Sequence, residues 1–309
     1  MKIMLLGGGG FIGLNLANVL VRRGHEVHIA DRSARQACNK HPFPDVAGYH
    51  LIQSADTARL ETTIDELGIE CVIGLTSSLI PSSGFSEFDS ELSQVIAPTF
   101  RLLEHLAKRR ISFVFLSSGG TVYGLNNKLV ISEDEPLRPI SYYGYSKVLF
   151  EQYLAFAGRV HQLRYTVIRP SNPFGPFQDP RRKQGLVAVA VDKVLHGQPV
   201  EVWGNGCVVR DYIWVEDLAE AVAVLLVKDE AWGRIFNIGS GKGHSVQDLL
   251  AMIGALTGKN VEIRYSKSRN VDVPRLVLDI TRLRTIINFD PLDLLDALEL
   301  YLNYTRNDS

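Results

Sequence analysis

Ile3-Met4-Leu5-Leu6-Gly7-Gly8-Gly9-Gly10-Phe11-Ile12-Gly13 is the stretch on which the reading of this chain turns. Four consecutive apolar residues read as a short buried strand. From Phe11 to about Arg23 an amphipathic helical pattern runs until Gly24 stops it. The glycines between satisfy two spacings at once, Gly7/Gly10/Gly13 and Gly8/Gly10/Gly13. Glycines allow a tight turn and let the backbone approach a pyrophosphate, while a helix N-terminus supplies free N–H groups and a positive dipole end. A strand before the glycines and a helix after them predict dinucleotide binding through Gly7, Gly10, Phe11, Ile12 and Gly13. The bland alternative is a flexible glycine turn.

Working outward, Glu26–Ala30 reads as the next strand, and it ends at Asp31. A carboxylate about 20 residues beyond the glycines accepts from a ribose 2′-OH and repels a 2′-phosphate, which favours NAD over NADP. Arg32 and Arg35 stand close enough to temper that preference, and Arg32 joins the candidate cofactor residues. Asp56 has two readings, an adenine contact or the cap of a helix opening at Thr57. Further strands are expected at His50–Gln53, Cys71–Leu75, Phe113–Leu116 and Tyr165–Ile168, with helices near Thr57–Leu67, Glu87–Lys108 and Tyr143–Gly158. This alternation predicts an α/β fold, a Rossmann-type doubly wound parallel sheet.

After Arg169 the texture changes. Arg169-Pro170-Ser171-Asn172-Pro173-Phe174-Gly175-Pro176 is dense in proline and reads as loop. A helix at Leu186–His196, a strand at Val200–Trp203 and a helix at Glu216–Lys228 follow. We therefore expect an NAD-binding domain at 1–170 and a smaller, interleaved α/β substrate lobe at 171–309.

The totals exclude several classes. Lys+Arg 33 against Asp+Glu 34 leaves a net charge of -1, with no electrostatic footprint for nucleic acid or an anionic membrane. Cys38, Cys71 and Cys207 are scattered and odd in number. They make neither a disulfide framework nor a metal-ligand spacing, so no metal is expected and a cytoplasmic setting fits. The apolar start is too short for a signal-peptide core, and no run reaches membrane-spanning length.

Tyr143 is the only one of the eleven tyrosines with a lysine four residues on. On a helix, Tyr143 and Lys147 then share a face. A positive charge at about 4 Å, at an effective dielectric near 20, favours a phenolate by roughly 4 kcal/mol. That is about three pKa units, enough to bring a tyrosine near neutrality for general acid–base work.

Taken together, the glycine loop, Asp31, Ser117-Ser118-Gly119-Gly120-Thr121-Val122-Tyr123-Gly124 and the Tyr143/Lys147 pair resemble the extended short-chain dehydrogenase/reductases. Asn172-Pro173-Phe174-Gly175, Gly204-Asn205-Gly206, Arg210-Asp211-Tyr212-Ile213-Trp214-Val215, Asn237-Ile238-Gly239-Ser240-Gly241 and Arg269-Asn270-Val271-Asp272 are similar to segments of the nucleotide-sugar branch, in particular the UDP-glucose (UDP-N-acetylglucosamine) 4-epimerases. The resemblance runs in order along nearly the whole chain. It implies that Tyr143 takes the proton from a sugar hydroxyl at C4 and that the hydrogen on that carbon passes to tightly held NAD. The 4-keto sugar then turns over and is reduced on its other face. Lys147 lowers the tyrosine pKa and holds the nicotinamide ribose.

The serine segment departs from the family pattern, which places Ser or Thr where this chain has Gly119. Ser118 is our candidate for that role, with Ser117 and Thr121 close by; the alternative is that both serines merely end the strand. Gly120-Thr121 offers no acid of the kind the related 4,6-dehydratases carry. Arg210 and Arg269 are candidates for the diphosphate, since guanidinium forks match phosphate oxygens; salt bridges to Asp211 and Asp272 are the alternative. Asn172 is a candidate for the same diphosphate or for a turn before Pro173, and Asp272 for the nucleotide ribose. Trp203 reads as core more readily than as a base platform. By spacing, the residue that limits sugar size in the family falls near Leu276, whose smaller side chain would admit an N-acetyl group.

The resemblance also implies a homodimer built on the helices at Glu87–Lys108 and Tyr143–Gly158. Leu92, Val95, Ile96, Leu102 and Leu103 suit such a seam, and equally suit packing on the sheet. The expected function is an NAD-dependent UDP-hexose or UDP-N-acetylhexosamine 4-epimerase. A reductase or other epimerase on a nucleotide-activated sugar, or a non-catalytic NAD-binding sensor, stand as alternatives.

Overall fold

Ile3, Met4 and Leu5 are fully buried, and at about 1.5–3 kcal/mol for each large apolar side chain they make the first strand the natural centre of the molecule. The computed structural model describes residues 1–34, 43–181, 185–267 and 273–306. The elements run β1 (Lys2–Leu6), α1 (Phe11–Arg22), β2 (Glu26–Asp31), β3 (Gly48–Leu51), α2 (Thr57–Leu67), β4 (Cys71–Gly74), α3 (Phe85–Glu91), a π turn (Leu92–Ile96), α4 (Ala97–Arg109), β5 (Ser112–Leu116) and α5 (Tyr142–Val160). They continue β6 (Tyr165–Pro170), β7 (Asn172–Phe174), α6 (Leu186–Leu195), β8 (Val200–Trp203), β9 (Val209–Trp214), α7 (Val215–Leu225), a short turn of helix (Asp229–Ala231), β10 (Arg234–Ile238), β11 (Gly243–Ser245), α8 (Val246–Thr257), β12 (Ile263–Ser266), β13 (Arg275–Leu276), α9 (Thr281–Arg284) and α10 (Leu294–Arg306).

Seven strands form one parallel sheet in the order β10-β6-β5-β4-β1-β2-β3. This is the Rossmann order with one strand added at the edge. Ile3 lies opposite Val27 on one side and Cys71 on the other. The chain reverses direction of travel between β1 and β4, and ligands of such sheets bind beyond the carboxyl ends at that point. Helices α1 and α7 cover one face, where Leu14, Leu20, Leu218 and Val222 meet the sheet. Helices α2, α4 and α5 cover the other, through Ile64, Leu103, Leu106 and Leu154.

The second half builds a smaller lobe from the β11-β9-β13 sheet, with β7 also on β9, and from the β12-β8 pair. A separate core joins α6, α8 and α10 beneath it. The lobes interleave, because β10 returns to pair with β6 and α7 returns to pack on α1.

The helix expected at Glu87–Lys108 is three pieces, α3, the π turn and α4. Pro98 stands in the first turn of α4. It has no N–H to give the preceding turn and its ring crowds the carbonyl four residues back, so the ladder loosens to the wider π spacing. Ile96, Leu102 and Leu103 are buried in the sheet-facing core, so these residues of the expected seam pack within the chain. Among the described residues no helix is long and apolar enough to cross a membrane.

Candidate active site

A cleft of about 2290 Å³ runs along the carboxyl ends of the strands and between the two lobes. Single small-molecule sites occupy roughly 300–1,000 Å³, so the cleft has room for two ligands end to end. One end is the glycine loop. Gly7 has φ +75, and a side chain there would press on Thr76 at 2.9 Å. A Cβ at Gly13 would lie 2.4 Å from the Gly8 carbonyl oxygen, so α1 can seat on the loop because Gly13 has no side chain. Gly10 differs: a Cβ there would find one neighbour, the Gly7 oxygen at 3.7 Å. Gly10 is also the N-cap of α1, without a side-chain cap and without an acidic residue in the first turn. The helix end, with Phe11 and Ile12, is thus left open to the cleft. This cradle fits a dinucleotide pyrophosphate.

Asp31 lies at the end of β2 on the cleft wall, with Arg32 beside it. Its carboxylate accepts from Gly9 N at 3.0 Å and Ser33 N at 2.9 Å, so it steadies the glycine loop and its own turn from the place a ribose would reach. Asp56 does not line the cleft. Its Oδ1 accepts from Arg59 N at 3.2 Å as the N-cap of α2, which is the second of its two readings, and Gln53, Ser54 and Ala55 line that stretch of the cleft.

The other end of the cleft is built on α5. Ser141 caps the helix, its Oγ accepting from Gly144 N at 3.1 Å, and this sets Tyr143 in the first turn with its side chain in the cleft wall. Lys147, one turn on, is buried; its Nζ donates to the Leu116 carbonyl at 3.1 Å and lies 5.6 Å from the Tyr143 ring centre. Burial pushes the Lys147 ammonium down to about 8, against the opposing pull of Glu91 and Glu151. Burial likewise pushes the Tyr143 hydroxyl up; a hydrogen bond with Ser118 works against this and the charge of Glu91 adds to it. Burial is thus the largest influence on the phenol here, and the Lys147 Nζ is turned to the Leu116 carbonyl.

Ser118 lines the cleft within hydrogen-bonding reach of Tyr143. Ser117 does not compete for that role, since its Oγ donates to the buried Glu151. The Gly119 position is pressed against β6, and a Cβ there would meet Leu278 at 2.7 Å and the Pro170 carbonyl at 3.0 Å. Gly120 faces the gap between Ser118 and Asn172, with nothing nearer than 3.8 Å.

Asn172 sits on β7 opposite Tyr212 of β9, and its Nδ2 donates to the Asp211 carbonyl at 2.8 Å. Arg210 lines the cleft, and its Nη1 donates to the carbonyls of Val209 and Val273 at 2.9 and 2.6 Å. The expected partner Asp211 points the other way, as strand alternation requires. It is fully buried, accepts from Ser240 N, Ser240 Oγ, Gly241 N and Leu278 N, and has its pKa raised by burial despite those bonds. Arg269 and Asp272 lie outside the described residues.

The chain matches the model of the NAD dependent epimerase/dehydratase family over residues 3–239. It is 30% identical to a UDP-glucose 4-epimerase of Mycolicibacterium smegmatis over the full length of both chains. This chain belongs to the NAD dependent epimerase/dehydratase family. The fold agrees. A UDP-glucose 4-epimerase from Thermotoga maritima, solved with UDP-glucose, superposes with a TM-score of 0.90 at 31% identity over 99% of each chain. A Thermus thermophilus UDP-glucose 4-epimerase solved with NAD superposes with a TM-score of 0.89 at 28% identity, again over 99% of each chain.

Family membership makes the chain an NAD-dependent enzyme, and the open α1 terminus and the Asp31 wall fit that cofactor. The fold also gives weight to cleft residues to which the motifs assigned no role. Thr121, Ser171 and Tyr212 line the cleft, and each has a buried hydroxyl without a hydrogen-bond partner in the structure. A buried unpaired hydroxyl is unfavourable by about 1–3 kcal/mol, so these groups are poised for a ligand. Trp203 corrects the core expectation: it is 40% exposed and lines the cleft, because β8 turns Val200 and Val202 inward and Glu201 and Trp203 outward. Leu276, expected to limit sugar size, is fully buried against Tyr123 and Leu278 and does not reach the cleft.

Proposed function

We propose that this chain interconverts the C4 epimers of a UDP-hexose or UDP-N-acetylhexosamine through a transient 4-keto sugar. The observation that carries the reading is the Ser118–Tyr143–Lys147 group, set in one wall of the same cleft as the phosphate cradle. Bound NAD⁺ supplies a reversible acceptor for the hydrogen on C4, and its positive ring favours an anion nearby. Tyr143 removes the O4 proton on the way in and returns it on the way out. Ser118 shares that proton through its hydrogen bond and orients the reacting oxygen. Lys147, fixed by the Leu116 carbonyl, offsets negative charge as the phenol ionises. Arg210 and Asn172 take the diphosphate from the β9/β7 side, and Trp203 borders the nucleotide end. Gly120 leaves room beside Ser118 for an enlarged sugar, which is why both hexose types are included. A homodimer completes the proposal, with the exposed Tyr145, Phe156 and Val160 of α5 contributing to its seam.

The test is incubation with a panel of UDP-sugars without added cofactor, followed by product separation. Interconversion of a C4 pair is expected, and Tyr143→Phe should abolish it while NAD stays bound. Net consumption of added NAD(P)H, or full activity in Tyr143→Phe, would overturn the assignment. Sedimentation of the purified protein tests the dimer.

A further inference from the structure

Glu91 is 2% exposed, yet no motif led to it. It is the last residue of α3, immediately before the π turn whose Gln94 and Val95 line the cleft. Such π turns collect at functional sites because they re-aim side chains inside a helix. Its Oε2 accepts from Ser78 N at 2.9 Å and also from Ser78 Oγ, on the loop that follows β4. That loop forms the cleft wall through Thr76, Ser77 and Ser78. Helix α3 packs on α5, where Phe88 stacks on Tyr142 at 5.3 Å, next to Tyr143.

We propose that Glu91 is a positioning residue of the catalytic centre, whose buried carboxylate clamps the loop after β4 and supplies the negative charge against which the Tyr143–Lys147 pair is balanced. The proposal rests on the epimerase reading. Burying a carboxylate is costly unless bonds and a cation compensate. Ser78 supplies the bonds, and the carboxylate's charge acts on Lys147 without a direct ion pair. The groups acting on the pair come from three directions. Glu91 on α3 acts on both members, Glu151 on α5 acts on Lys147, and Ser118 after β5 bonds Tyr143. Glu151 is itself paired with Arg169 of β6 at 2.6 Å, so its charge is largely spoken for. Glu91 has no such partner among the ion pairs of the described residues. A plain loop anchor would hold Ser78 equally well with an amide; a charge balance would not survive that change.

Glu91→Gln separates the two roles, since it keeps the shape and an acceptor for Ser78 but removes the charge. Without the charge both Tyr143 and Lys147 lose their protons more readily. In NAD-saturated protein, both limbs of the kcat–pH profile should move to lower pH by about one unit, the size expected of a nearby charge. Glu91→Asp should restore part of the shift. A second readout needs no substrate: the phenolate absorbance of Tyr143, taken as the difference from a Tyr143→Phe background, should titrate at lower pH in Glu91→Gln. Superimposable profiles and titrations would overturn the proposal, even if the variant melts earlier. A shifted titration in a protein that epimerises no UDP-sugar would instead support Glu91 and sink the epimerase reading.

Discussion

Replacing Glu151 by alanine tests the energetics beneath the catalytic helix. Arg169 and Glu151 have side chains only 2% and 3% exposed, and Nη2 meets Oε2 at 2.6 Å. Arg169 Nε adds contacts at 3.1 and 3.2 Å, and Ser117 donates to the same carboxylate at 2.5 Å. The remaining arginine donor, Nη1, is satisfied by Tyr123 Oη at 2.9 Å and the Glu133 carbonyl at 3.0 Å. Burial works against the guanidinium charge, but Glu151 and Tyr123 hold its pKa above the ordinary arginine value. Glu151→Ala would strand that charge with Nε and Nη2 unpaired, and breaking a buried pair from one side costs about 3–5 kcal/mol. In a chain of this size that corresponds to a fall in Tm of roughly 5–8 °C. Glu151→Met with Arg169→Met removes both charges and fills similar volume. Tyr123 keeps its bond to Asn237, so the double variant should lie within about 2 kcal/mol of the parent. Urea unfolding of parent, singles and double measures the coupling. If Glu151→Ala loses less than about 1 kcal/mol, or if the double is as unstable as the single, the buried charge is not what stabilises this layer.

Three further outcomes follow from the same geometry. Gly13→Ala would place a methyl 2.4 Å from the Gly8 oxygen and 2.5 Å from the Gly8 Cα, neither of which can swing aside. Overpacking of this kind costs about 1–3 kcal/mol, and titration calorimetry should show NAD affinity down by roughly tenfold or more. Lys147→Met should be inactive but more stable. The lysine's pKa falls from 10.5 to about 8 on folding, so the unfolded chain binds more protons between those values and the parent is penalised below pH 8. The relief, about 3 kcal/mol at pH 7, should shrink as pH rises through 8 to 10.5, and an unchanged difference at pH 10 would refute it. Asp31→Ser should raise NADP affinity relative to NAD by roughly tenfold, read by equilibrium binding of each, because the carboxylate that excludes a 2′-phosphate is gone.

What was legible along the chain is what depends on neighbours in sequence. The glycine loop, the flanking β1 and α1, the parallel alternation and the Tyr143/Lys147 spacing each rest on local geometry, where period and turn chemistry settle the matter. Asp56 was undecided because capping and ligand contact use the same atoms, and only the position of the loop relative to the cleft separates them. The rest required the fold. Trp203 and Leu276 exchanged their expected places, one into the cleft and one into the core, because strand pairing decides which face points inward. Glu91 joined the site because Pro98 loosened a helix whose end meets the loop after β4. The ionisation of Tyr143 also had to wait for the structure: four-residue spacing puts a cation nearby, but desolvation depends on everything packed around the pair, which comes from β5, β6 and α3, far away along the chain.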